Sequence, residues 1–149
     1  MTHKQAVRRI GNWLKNTKQC PIVITELATA NHETPDAIAF HGNGNSILVE
    51  CKISRADFLA DRHKFFREHP EHGMGDVRCF ATPPGIVKPE DDLEDWGLLE
   101  IHDRMIKVVR EPEPQDANKR AEVKLLMSSI RRLQLSTAVY VVAEPPQEP

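Results

Sequence analysis

The sequence predicts an α/β fold, a mixed sheet flanked by helices on both faces. Three observations carry this. Helix-patterned and strand-patterned segments alternate in the order α-β-β-β-α-β-β-β-α, which calls for a sheet with helices packed against it. The runs Ile38-Ala39-Phe40 and Ile47-Leu48-Val49-Glu50-Cys51 are apolar at most alternate positions, as in strands covered on both sides. The chain of 149 residues, 40% hydrophobic and 28% charged, has the size and composition of one domain with its own core.

The elements follow in order. Ala6, Val7, Ile10, Trp13 and Leu14 recur at helical spacing across residues 3–16, with Arg8, Arg9, Asn12 and Lys15 between them. Residues 22–29 are rich in β-branched types and predict a strand. Residues 35–41 and 46–52 predict two more, joined by Gly42-Asn43-Gly44-Asn45, whose tolerance of positive φ suits a hairpin turn. Ser54 is placed to cap a helix running to about Glu68, with Asp57 at the third position and Phe58, Leu59, Phe65 and Phe66 as its apolar face. Pro70 and Gly73 end it. Residues 77–82 predict a strand. Trp96–Asp103 and Met105–Glu111 predict a hairpin turning at Asp103 and Arg104. A helix is expected over 119–135, with Val123, Leu126, Met127, Ile130, Leu133 and Leu125 inward. A final strand is expected at 138–143. The domain is expected to span 1–143, with 144–149 a disordered tail.

Composition bounds the function. No apolar run approaches the roughly 20 residues that cross a bilayer, and the first residues lack an apolar signal core. The reading is a cytoplasmic protein with no membrane partner. Cys20, Cys51 and Cys79 are odd in number and widely spaced, which argues against a disulfide framework and against a zinc site. The net charge of -2 advertises no general affinity for nucleic acid, so any such surface must be a local patch.

One constellation carries chemistry. Asp36 stands near the start of one hairpin strand, and Glu50 and Lys52 stand near the end of the other. Two residues apart, Glu50 and Lys52 project from one face. Asp36 joins that face if it lies opposite Glu50 or Lys52; a slip of one residue sends it to the other. The site therefore requires an odd-length loop or a bulge at the hairpin turn. Two carboxylates and the Cys51 carbonyl between them make a hard oxygen site suited to Mg²⁺ or Mn²⁺. A metal there would polarise a phosphate oxygen and activate water, and the ammonium would assist. Glu26 would add a further metal contact. The plainer alternative is a cross-strand ion pair at Glu50 and Lys52 beside an ordinary turn aspartate. Against it stands the cost of charge at the end of a run buried on both faces.

Pro35-Asp36, thirteen intervening residues, then Glu50-Cys51-Lys52 resembles the motif of the PD-(D/E)XK nuclease superfamily. The likeness extends through the Ser54-x-x-Asp57-Phe58-x-x-Asp61-Arg62 helix start, Val77–Pro84 and Glu94–Asp103, and resembles the MmcB-type DNA-repair proteins of that superfamily. It reaches from about Glu26 to Asp103. It implies a restriction-endonuclease-like fold, Asp36 and Glu50 as metal ligands, Lys52 as the catalytic lysine and Glu26 as a further acid. Ile53 departs from it, standing where a small or polar residue is frequent. The implied activity is metal-dependent hydrolysis of phosphodiester bonds, on DNA rather than RNA, by a possible homodimer. The alternative is a catalytically inactive nucleic-acid-binding module of the same fold.

Other residues have weaker claims. Arg55, Arg62, Lys64 and Arg67 make the 54–68 helix basic and are the candidate phosphate contacts; the same charges would suit a solvated face balanced by Asp57, Asp61 and Glu68. His63, His69 and His72 invite a zinc reading, but their spacing suits surface histidines better. Lys119, Arg120, Lys124, Arg131 and Arg132 decorate the last helix as a solvated face. Trp96 reads as a core plug, and the acidic run 90–95 as a lid or rim.

Overall fold

A computed structural model of the chain describes residues 1–26, 34–61 and 65–133. Its centre is one open six-stranded mixed sheet in sequential order. The strands are β1 (Ile22–Thr25), β2 (Ala37–Phe40), β3 (Ser46–Cys51), β4 (Val77–Thr82), β5 (Gly97–Ile101) and β6 (Ile106–Arg110). β3, β4 and β5 run parallel; the outer pairings are antiparallel. The helices are α1 (His3–Asn16), α2 (Arg55–Ala60), α3 (Phe65–Glu68) and α4 (Lys119–Arg132), with a 3-10 turn at Pro70–His72.

Helix α1 begins with a capping box: the Thr2 hydroxyl accepts from Gln5 N–H and the Gln5 side chain accepts from Thr2 N–H. Its apolar stripe of Ala6, Val7, Ile10 and Leu14 packs on one sheet face against Ala37, Ala39, Val49, Cys51, Cys79, Ala81, Leu99 and Ile101. Five of those eight are alanine or cysteine, so the helix can lie close to the central strands. The opposite face holds larger side chains. Ile38, Phe40, Leu48, Phe80 and Leu98 meet Phe58 from α2, Met74, Leu93, Trp96, and Ala121 and Leu125 from α4. Trp96 stacks on Phe80 at 4.5 Å, the core plug that the sequence suggests.

The β2–β3 hairpin closes through residues 41–45, an odd-length loop. His41 N–H donates to Asn45 O, and Gly44 takes φ 86°, the left-handed region that favours glycine. Ala37 pairs with Val49 and Ile38 with Leu48. Carried one step further, that ladder sets Asp36 across from Glu50, one of the two registers the site requires.

Three elements differ from expectation. The strand expected over 22–29 ends at Thr25, because Glu26 turns into the left-handed region at φ 53°. Residues 27–29 lie outside the described residues. The helix expected from Ser54 to Glu68 is found as α2 and α3, with 62–64 outside the described residues. Ser54 caps α2 as expected, accepting from Asp57 N–H. At its far end Asp61 N–H reaches Phe58 O, which tightens the last turn into 3-10 geometry.

The largest correction concerns α4. Val123, Met127, Ile130 and Leu133 are at least half exposed, while Ala121, Glu122 and Leu125 are buried. A polar network fixes this rotation. Glu122 Oε1 accepts from Ser46 O–H and from Gly75 N–H, and Glu122 Oε2 accepts from Lys119. Lys119 also bonds Asp76, whose Oδ2 accepts from Ser46 N–H. Turning the apolar stripe inward would pull Glu122 from the buried Gly75 amide and from the Ser46 hydroxyl, whose other acceptor is Asp76 Oδ2 at 3.3 Å, and leaving a buried donor unmet opposes that rotation. The final strand expected at 138–143 and the tail at 144–149 lie outside the described residues.

Two outcomes are expected. Glu122→Ala should lower unfolding free energy by about 2 kcal/mol in urea titrations, since it strands the Gly75 amide and leaves the Ser46 hydroxyl only its longer bond to Asp76. The Asp76–Lys119 pair gives a pH signature. Burial pushes the Asp76 carboxyl up, but hydrogen bonds from Lys119 and Ser46 outweigh it and hold it below the ordinary range. Burial pulls Lys119 down, and bonds to Asp76 and Glu122 outweigh that and raise it. Asp76 therefore contributes above its unfolded value of about 3.9, and this is lost as pH falls through its lower folded value. Lys119 contributes below about 10.4, and this is lost as pH rises through its higher folded value. The melting-temperature gap between wild type and Lys119→Met should be widest between those limits and should narrow on either side.

Candidate active site

The charged residues singled out in the sequence gather where β2 begins and β3 ends. Asp36 precedes β2, and its Oδ2 accepts from Cys51 N–H at 2.8 Å, prolonging the β2–β3 ladder with a side-chain oxygen. Its backbone oxygen accepts from Glu26 N–H at 3.1 Å, so Asp36 also ties the end of β1. Glu50 and Lys52 extend to the face shared with α2. Glu50 is 9% exposed and Lys52 only 5%. The chain leaves β3 with Lys52 N–H on Ala81 O, which holds the lysine against β4.

Lys52 sits between two acids. Its Nζ is 3.0 Å from Asp61 Oδ1 and 3.8 Å from Glu50 Oε2. Asp61, 2% exposed, closes α2 from above, and its Oδ2 lies 3.6 Å from Arg67 Nε. The Arg67 guanidinium in turn covers Trp96 at 4.8 Å and Phe80 at 5.2 Å. Aromatic faces and an acid together offset part of the cost of taking that cation out of water. The sequence offers Arg67 as a phosphate contact and Asp61 as part of the helix-start motif without a role; the structure brings both into this buried cluster. The spacing that could have signalled Asp61 is its place one helical turn past Asp57, on the side of α2 that Phe58 turns toward the sheet.

A group missed by the sequence reading is His3, in the first turn of α1. Its Nε2 is 3.2 Å from Asp36 Oδ1, and its Nδ1 is 3.9 Å from Glu26 Oε1. Glu26 is thus beside Asp36, though half exposed and outside the sheet. The Cys51 thiol is buried between strands and helix. Burial first, then Asp36 and Glu50, push it far above the ordinary thiol range, so it is a neutral thiol with no role as a thiolate ligand or nucleophile. Burial likewise pushes Cys79 up to about 12.

The other candidates are placed as follows. Arg55 donates to Asp91 through both terminal nitrogens and to Ile86 O, which ties the acidic run to α2. Arg67 is the buried cation described above. Arg62 and Lys64, with His63, lie outside the described residues. His69 and His72 are exposed, stand edge to face with each other and lie near Glu71 in ion-pair geometry.

Among the described residues, no three His, Cys, Asp or Glu side chains gather as a ready-made metal cage. The donors present are the Asp36 and Glu50 carboxylates and the Cys51 carbonyl between Glu50 and Lys52. Two hard carboxylates with remaining positions left to water or phosphate fit Mg²⁺, which usually keeps several waters. They do not fit zinc, which takes its full set from side chains in structural sites.

No known protein-family profile matches the chain, and no curated protein matches it. The fold is shared with a solved structure of a protein of unknown function from Silicibacter pomeroyi. The two are 24% identical, with a TM-score of 0.67, over 90% of each chain. Fold and site together define an α/β protein with an open mixed sheet and a buried cluster of acids and cations at the end of its central strands. Among the described residues no helix is long and apolar enough to cross a membrane.

Removing Lys52 from this cluster leaves Asp61 and Glu50 short of a buried cation. Lys52→Met should therefore cost about 3 kcal/mol of stability in chemical denaturation. His3→Ala, at an exposed contact, should cost less than about 1 kcal/mol.

Proposed function

We propose that the chain is a metal-dependent nuclease, or nuclease-like DNA-processing protein, of the PD-(D/E)XK type, with a restriction-endonuclease-like fold. The observation that carries this is the β2–β3 register, which pairs Ala37 with Val49 and, carried one step on, sets Asp36 across from Glu50 with Lys52 two residues further. The Asp36 carboxylate is held at the same sheet end by Cys51 N–H, which supports the reading.

In this reading Asp36, Glu50 and the Cys51 carbonyl hold Mg²⁺ or Mn²⁺. The bound ion supplies Lewis acidity toward a phosphate oxygen and a more acidic water. The protein's own residues do the rest. Asp36 is held in place by Cys51 N–H. Lys52 presents an ammonium beside the carboxylates, where it can orient the attacking water or meet charge that develops on the phosphate. Glu26 and His3 flank the open side at α1. The substrate is nucleic acid, DNA before RNA, with phosphate contacts from Arg55 and from Arg62 and Lys64; Arg67 is better placed to support Asp61. The protein is read as cytoplasmic and as a possible homodimer.

A second reading, a binding module without cleavage, is favoured by one observation: the Lys52 ammonium already has Asp61 at 3.0 Å. A cleavage assay separates the two. Labelled single-stranded, duplex and branched DNA, and RNA, are incubated with Mg²⁺, Mn²⁺ or EDTA. Metal-dependent cutting is expected for wild type, with loss of at least about a hundredfold in Asp36→Asn and Lys52→Met. Binding of the same substrates without cutting by wild type would instead establish the module.

A further inference from the structure

Positive charge is unevenly placed along this chain. Residues 1–25 hold five of its 20 lysines and arginines and none of its 22 acids, which leaves 15 cations against 22 acids beyond them. Four of the five, Lys4, Arg8, Arg9 and Lys15, stand on α1. At about 100° per residue, Lys4, Arg8 and Lys15 fall within about 40° of one another around the helix. They lie on the side turned away from Ala6, Val7, Ile10 and Leu14, which pack on the sheet, and all three are exposed.

The electrostatics of α1 work against the helix itself. Lys4 stands in the first turn, where the helix dipole disfavours a cation and where α1 has no acid. Lys4 and Arg8 are four residues apart, a like-charge spacing that opposes helix formation. Among the described residues, none of the three has an acid within ion-pair distance. Charge that a helix carries at a cost to its own stability fits a task outside the fold.

The stripe begins at the site. His3 precedes Lys4 in the same turn, and its Nε2 is 3.2 Å from Asp36 Oδ1. Lys4 and Lys15 are eleven residues apart. That is about 16 Å of helix, the axial length of about five phosphates on one strand of a duplex. The described cations on the α2 side are engaged elsewhere: Arg55 with Asp91, and Arg67 buried over Trp96 and Phe80. A lipid surface is the poorer fit. A cationic helix enters a membrane by its apolar face, and that of α1 lies inside the core.

We infer that the exposed face of α1, through Lys4, Arg8 and Lys15, is a track for the phosphate backbone of nucleic acid that leads to the Asp36 end of the site. The inference deepens the nuclease reading and rests on it for the class of substrate. The three side chains hold the strand and take no part in bond breaking.

The test measures binding apart from cutting. Three forms of the full chain are titrated by fluorescence anisotropy against labelled duplex DNA, single-stranded DNA and RNA, in EDTA, from about 0.05 to 0.2 M KCl. They are wild type, Lys4→Gln/Arg8→Gln/Lys15→Gln, and Lys124→Gln/Arg131→Gln/Arg132→Gln on α4. The α1 variant should bind duplex about a hundredfold more weakly at about 0.15 M salt. Its slope of log affinity on log salt should be shallower by about 2.7, from three lost phosphate contacts at about 0.9 each. The α4 variant removes the same charge and should stay within about threefold of wild type, since distant charges are screened. An α1 variant that binds as wild type does, or an α4 variant that loses as much, overturns the inference. Wild type that binds none of the three nucleic acids also overturns it, whether or not it binds phosphatidylserine vesicles.

The melting temperature of the α1 variant should equal or exceed that of wild type. Should it fall, Arg8→Gln alone carries the test, with a slope shallower by about 0.9. Cleavage is scored separately. Binding that depends on α1, without metal-dependent cutting, keeps the track and removes the nuclease. Cutting by the α1 variant at wild-type kcat/KM keeps the nuclease and overturns the track.

Discussion

The hydrogen bond from Cys51 N–H to Asp36 Oδ2 is the contact on which the site depends. It falls where the β2 backbone stops supplying partners, and a carboxylate oxygen takes the place that a carbonyl would hold. One bond therefore does two things. It satisfies the last buried amide of β3, and it fixes an acid at the sheet end beside Glu50. Strand pairing has a period of two, so a slip of one residue would turn Glu50 and Lys52 toward α1 and the aliphatic run of β3 toward the wrong helices. The hydrophobic pattern on both faces and the odd-length loop at residues 41–45 hold the register that the acid needs.

The two faces of the sheet solve different problems. On the α1 side, alanines and cysteines on the strands admit a helix at close range, and His3 reaches Asp36 from the first turn of that helix. On the other side, aromatic residues build a floor of Phe58, Phe80 and Trp96. Arg67 lies on that floor and meets Asp61, which meets Lys52. The chain of contacts from Trp96 to Lys52 is how a hydrophobic core comes to support a buried charge: each cation has an acid, and the outermost cation has aromatic faces. Arg78 follows the same logic away from the site, fully buried yet donating to the backbone oxygens of Gly75, Pro70, Gly73 and Asp116. It ties the loop before β4 to the loop before α4.

Much of this was legible in the sequence because local rules decide it. The periodicity of Ala6, Val7, Ile10 and Leu14 gave α1 to the residue, and β-branched runs bounded by glycine and proline gave β2 through β6 within a few residues. The turn at Gly42–Asn45 fixed the hairpin, and with it the approach of Asp36 to Glu50. What escaped depends on partners distant in the chain. The inward face of α4 differs at Val123, Met127, Ile130 and Leu133 because helical spacing carries no information on the partners of Glu122. In the folded chain Glu122 meets Ser46 and Gly75, more than forty residues away, and settles the rotation. His3 has no local signal that distinguishes it from a solvated residue, and the helix-start motif that contains Asp61 does not say which cations it meets.

The nuclease reading rests on a cation that Asp36 and Glu50 would share, and stability offers the most direct check of that. A ligand that binds only the folded state raises its unfolding free energy, by about 2.7 kcal/mol at a hundredfold excess over the dissociation constant. The measurement is the melting temperature of wild type and Asp36→Asn across a titration of Mn²⁺, with Ca²⁺ and EDTA controls. The account predicts a rise for wild type that grows with Mn²⁺ and is absent in Asp36→Asn. A wild-type melting temperature indifferent to Mn²⁺, or an equal rise in the variant, would contradict it.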